Sequence, residues 1–131
     1  MIQSRTLKNS LTIDLKVNGS VRTAIGNQST LAGRRILAII TRMNVTGAYA
    51  PVGNALAANV GFAYLQLVNS KNEVIHDAFP LSLLDPSISV SGITWIDSPD
   101  IDWTKSAVVY PSAAMANDDN GKSILLTIIY E

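Results

Sequence analysis

Three aspartates, Asp97, Asp100 and Asp102, fall within six residues of one another and lie between the chain's two tryptophans, Trp95 and Trp103. Carboxylates this close offer oxygen ligands to calcium, and two facing carboxylates are the usual machinery of glycoside hydrolysis. Aromatic rings beside them would let a sugar stack, as in a carbohydrate-binding or adhesin module. The spacing is not that of an EF-hand loop, and acids crowded around Pro99 give no sign of facing each other across a cleft. Asp and Asn are also ordinary turn residues, because their side chains bond nearby backbone and accept left-handed conformations. The same holds for Asp118 and Asp119, which sit between Asn117 and Asn120. Turn chemistry is therefore expected of both clusters, and burial of the two tryptophans. Trp95, Asp97, Asp100, Asp102 and Trp103 stand as the alternative, a ligand platform.

Nothing else in the chain frames a reaction. His76 is the single histidine, set in a strand pattern opposite in face to Ile75, and one histidine cannot build a His-rich zinc site. No Gly-x-Ser-x-Gly elbow holds a nucleophile, and Gly47, Gly53 and Gly61 are too widely spaced for a phosphate loop. With no cysteine, disulfides and thiolate metal sites are excluded. The expectation is a protein without catalytic residues, cofactor or metal, whose work is contact.

Charge points the same way. Residues 1–42 hold seven basic residues against Asp14 alone, a formal +6, while residues 43–131 hold three basic residues against nine acids, a formal −6. Arg5, Lys8, Arg22, Arg34, Arg35 and Arg42 are the candidate contacts to an anionic partner or to the acidic side of a neighbouring subunit. No aromatic is interleaved among them before Tyr49, so any nucleic-acid contact would be to the backbone alone and sensitive to salt. Charged residues are 15% of the chain, against about 25% in soluble domains, which fits a surface partly covered by neighbours. No apolar run reaches the roughly 18–20 residues of a membrane span, and residues 1–10 lack the apolar stretch of a signal peptide, so a soluble product is expected.

The elements that would carry these residues are strands. Leu11, Ile13, Leu15 and Val17 alternate with Thr12, Asp14 and Lys16, the signature of a half-buried strand. Asn18-Gly19 follows and predicts a hairpin into residues 21–25. Residues 35–43, apolar on both faces and rich in β-branched side chains, predict a central strand. Residues 61–68 and 73–79 flank the turn cluster at 69–72 and predict a second hairpin. Residues 80–87 predict one apolar turn that plugs the end of a sandwich, residues 88–96 a strand bulged at Gly92, and residues 107–110 and 123–130 the last two strands. The small-residue segment 46–59 reads as a surface loop, with a helical turn near Ala55–Ala58 as its alternative. No segment shows a helical period. About eight strands predict an all-β antiparallel sandwich, one domain over residues 11–131 behind an N-terminal arm of residues 1–10. A jelly roll is preferred to an immunoglobulin-like arrangement, which usually pairs a core tryptophan with two cysteines.

In this layout, with its basic Ser/Asn-containing entry segment, short strands, small-residue loops and closing run from Gly121 to Tyr130, the chain resembles the single jelly-roll structural proteins of tailless icosahedral phages, the vertex (penton) or minor capsid proteins. That resemblance implies a capsid protein of the virion. It further implies a homo-oligomer, a ring such as the pentamer of a five-fold vertex, that contacts other capsid proteins, and an arm at residues 1–10 reaching neighbours or the particle interior.

Overall fold

The computed structural model describes residues 9–42, 56–85, 95–98 and 101–131, with the backbone alone for 76–78 and 95–98. Eight strands are found among them: β1 (Asn9–Lys16), β2 (Arg22–Ala24), β3 (Ile36–Arg42), β4 (Tyr64–Val68), β5 (Val74–Pro80), β6 (Trp95–Ser98), β7 (Ala107–Val109) and β8 (Ser123–Tyr130). They form two four-stranded antiparallel sheets, in the orders β1-β8-β3-β6 and β2-β7-β4-β5. The protein is an all-β sandwich, as its alternating patterns predict. Its one helix among the described residues, α1 (Ala113–Asp118), is six residues long and has no counterpart in the sequence reading. Ser112 caps it by accepting a bond from the Met115 N–H at 3.3 Å, and Ala116 is its buried residue. No helix among the described residues is long and apolar enough to cross a membrane.

Alternation places the core between the sheets. On β1, Ile13 and Leu15 are buried while Thr12, Asp14 and Lys16 are exposed. On β8, Ile124, Leu126 and Ile128 turn inward, and Leu125 on the opposite face is 6% exposed. β3 likewise buries Ile36 and Ile39 inward and Ala38 and Ile40 on its other face, as expected of a strand covered on both faces. The second sheet contributes Leu65, Leu67 and Val108, each wholly buried. β4 and β5 form the hairpin predicted around residues 69–72, with Asn72 at φ 63° in its turn. Leu81–Leu84 makes a single 3₁₀ turn that inserts Leu81 and Leu84 into the sandwich end, and the Leu81 N–H donates to the Ala63 carbonyl at 3.1 Å.

The expected hairpin at Asn18-Gly19 does not form. β1 pairs with β8, and β2 pairs with β7 in the other sheet, so the turn is a corner between layers. Its chemistry explains the bend. Asn18 Oδ1 accepts from the Ser20 N–H at 2.9 Å and from the Thr23 hydroxyl at 3.1 Å, while its Nδ2 donates to the Arg22 carbonyl at 3.2 Å. Gly19 sits at φ 82°, and a Cβ there would meet Asn120 Cγ at 3.0 Å, so the corner lies against the turn that precedes β8. That contact fastens β1 to β8 at one end, where the Val17 N–H also donates to the Lys122 carbonyl at 2.9 Å. Of the seven connections between the described strands, β4 to β5 stays in one sheet and the other six cross. The loop expected at 46–59 and the bulge at Gly92 lie mostly or wholly outside the described residues. The part that is described, from Leu56 onward, makes a parallel bridge to Ser123 and buries Ala57 and Val60.

Candidate functional site

The described basic residues of the N-terminal third are carried by different elements. Arg5 and Lys8 lie outside the described residues. Arg22, on β2, lies across the outer face of the second sheet: its guanidinium donates to Gln66 Oε1 and, at 2.6 Å, to the Lys105 carbonyl. Arg34 and Arg35 precede β3 at the sandwich end where Asn9 and Tyr130 pair. Arg34 stands over the Tyr130 ring at 5.7 Å from its centroid, and Arg35 approaches Glu131 at 4.0 Å, a long and exposed ion pair of little energetic weight. Arg42 closes β3 at its opposite end, beside Leu125 in register. The described basic candidates thus lie at three places, on β2, before β3 and at the end of β3.

Asp102 is a turn residue. Asp102 Oδ1 accepts from the Thr104 hydroxyl at 2.6 Å and from the Thr104 N–H at 3.0 Å, and Lys105 Nζ lies 3.5 Å from Oδ2. The Thr104 hydroxyl bond is the largest cause holding the Asp102 carboxyl below the ordinary aspartate range; slight burial opposes it, and Lys105 adds to it. Trp103 is 4% exposed and belongs to the core, at the end where the Asp102 N–H donates to the Val68 carbonyl at 2.8 Å. Its faces are not available for a sugar to stack on, so the platform is lost at that residue. Trp95 and Asp97 lie on β6, where Trp95 pairs in register with Ala38, and Asp100 is outside the described residues. Among the described residues no group of three or more His, Cys, Asp or Glu stands close enough to hold a metal ion.

Asp118 and Asp119, adjacent and alike in sequence, part company. Asp118 is exposed, whereas Asp119 is wholly buried and its carboxylate is saturated with donors. Oδ1 accepts from the Ala58 N–H at 3.1 Å, and Oδ2 from the Asn59 N–H at 2.9 Å and from the Tyr110 hydroxyl at 2.8 Å. Asn59 Nδ2 adds a longer contact at 3.4 Å. A carboxylate so occupied has no lone pair to turn toward calcium. It ties the segment after Leu56 to the turn before β8 and to the end of β7. No local pattern signals this, since a buried aspartate and a turn aspartate have the same neighbours in the chain.

Tyr110 reports on that latch. Burial first, then the hydrogen bond it donates to Asp119 and the charge of that carboxylate, push its hydroxyl well above the ordinary tyrosine range. An unfolded tyrosine ionises near pH 10, roughly, so above that value the unfolded chain sheds a proton that the native chain keeps. Stability from Tyr110 is therefore complete below pH 10, roughly, and drains at up to about 1.4 kcal/mol per pH unit above it. In urea titrations from pH 8 to 11.5, the stability advantage of the wild type over Tyr110→Phe is expected to shrink across the alkaline limb. A constant difference would show that this hydroxyl does not keep its proton.

The sheet edges complete the inventory of surfaces. β2 has three residues and β6 four; β5 ends at Pro80 and shifts register twice against β4. β1 has eight residues, pairs with β8 without a shift, and contains neither proline nor glycine. Because the Val17 N–H points to β8, alternation turns the backbone groups of Leu11, Ile13 and Leu15 toward β8 and those of Ser10, Thr12, Asp14 and Lys16 toward the open side. None of the described residues supplies a partner there. Phe62 and Leu83, 64% and 49% exposed, sit on two 3₁₀ turns in contact with each other, an apolar pair on one sandwich end. No protein-family model, curated protein or solved structure matches this chain.

Proposed function

We propose that this protein is a non-enzymatic structural subunit of a virus particle, a single jelly roll that self-assembles through its sheet faces, edges and loops at a capsid vertex. The observation that carries the reading is the strand order. Six of the seven connections between the described strands cross between sheets, which interleaves early and late strands in both layers. A jelly roll, two Greek keys wound into facing four-stranded sheets, has that interleaving. An immunoglobulin-like sandwich keeps consecutive strands such as A and B, or F and G, in one sheet. Low charge, exposed apolar residues at the sandwich end and a long open strand edge support contact as the function. The buried Trp103 and the hydrogen-bonded Asp102 speak against the carbohydrate-binding alternative.

The test is mass in solution. Light scattering on the folded protein is expected to give a closed oligomer, with five times the 14.0 kDa chain as the value for a vertex pentamer. A monomer that stays monomeric at high concentration would overturn self-assembly. Quenching of tryptophan fluorescence by sugars would instead revive the ligand-binding module.

A further inference from the structure

We infer that the open edge of β1 is a self-pairing surface: two copies of this chain join their β1 strands antiparallel about a two-fold axis beside Leu15, with Asp14 of each opposite Lys16 of the other. The inference rests on the self-assembly reading and names one of its contacts, a two-fold joint between neighbours that leaves the other edges free for a ring.

Three observations carry it. First, β1 is the longest open edge described and lacks the devices that protect such edges, whereas β2 and β6 are short and β5 is bulged and ends in proline. Second, the backbone groups of Asp14 and Lys16 are among those turned to the open side, so in an antiparallel pair these residues meet as hydrogen-bonded partners. Third, charge selects a single register. Directly opposed residues on one face bring their Cβ atoms to about 5 Å, where opposite charges stabilise and like charges repel. With the axis at Leu15, both Asp14–Lys16 pairs form on the solvent face. Moving it one residue toward the N-terminus sets Asp14 against Asp14, and one residue the other way sets Lys16 against Lys16. Axes nearer Thr12 or Ile13 overlap more of β1 but leave both charges unmatched; the axis at Leu15 joins the strands over Asp14–Lys16 alone, through the two charge-matched, hydrogen-bonded pairs.

The charges also make the contact testable without disturbing the fold, because Asp14 and Lys16 are both exposed. Sedimentation equilibrium is run on the wild type, Asp14→Lys, Lys16→Asp and the double exchange Asp14→Lys/Lys16→Asp. Each single variant is expected to weaken association about tenfold, and the double exchange to restore it. In the associated wild type, hydrogen exchange at the Asp14 and Lys16 amides is expected to slow relative to the dilute protein, while the Ile13 and Leu15 amides, already bonded to β8, stay protected throughout. If the wild type associates, but both single variants do so equally well and the two amides gain no protection, the β1 contact is overturned and self-assembly stands. A wild type that remains a folded monomer overturns both.

Discussion

Replacing Asp119 with alanine is expected to lower the unfolding free energy by about 3–5 kcal/mol, a third or more of what a domain of this size commonly has. The cost comes from the donors left behind. The part-buried Ala58 and Asn59 N–H groups and the buried Tyr110 hydroxyl all end on this carboxylate, and a buried donor without an acceptor costs about 1–3 kcal/mol, a part-buried one less. Asp119→Asn is expected to be milder, since the amide keeps one accepting oxygen but turns an N–H₂ toward a donor. Urea unfolding followed by circular dichroism measures both. A loss below about 1 kcal/mol for the alanine variant would mean that apolar packing of Ala57 and Val60 alone holds the segment.

Leu126→Ala is expected to cost a similar amount, about 2–5 kcal/mol, by a different mechanism. Leu126 is wholly buried on β8, in register with Ile13 on one side and Thr41 on the other, at the centre of the first sheet. Its removal leaves a cavity that two flanking strands hold open, because neither can move inward without breaking its ladder. Val74→Ala is the control: Val74 is 52% exposed at the start of an edge strand, and its truncation should change stability by less than about 0.5 kcal/mol. Equal losses at the two positions would contradict the assignment of faces.

The faces of this fold were legible in its residues, and of the pairings only the β4–β5 hairpin was. Alternation in Leu11, Ile13, Leu15 and Val17 marks which side of β1 is buried, and the apolar residues on both faces of 35–43 mark β3 as a strand covered on both sides; the observed limits of β8, Ser123–Tyr130, match the expected ones. Period two says nothing about which strand lies alongside. Asn18-Gly19 suits a hairpin and an interlayer corner equally, and the choice is made by contacts with Asn120 and Lys122, a hundred positions away. Closeness in sequence does not bring the described basic candidates together: a seven-residue strand spans about 20 Å, so Arg35, just before β3, and Arg42, at its end, stand at opposite ends of that strand. Asp102 behaves as the turn residue its composition suggests, while Asp119 owes its role to partners at Ala58, Asn59 and Tyr110 that no local pattern announces.

The pairing of β1 with β8 also sets the order in which this molecule is made. The Thr12 hydroxyl bonds that of Thr127, 115 positions along the chain, and β3 docks on the other side of the same strand. During synthesis the β4–β5 hairpin can close as soon as it leaves the ribosome. β1 and β3 must wait, because the strand that separates them has not yet been translated. Closing so large a loop before any ladder forms is slow, on the order of milliseconds to seconds for such topologies. Through that interval β1 is an aliphatic strand open on both edges, which makes its encounter with another nascent chain the main competitor of correct folding.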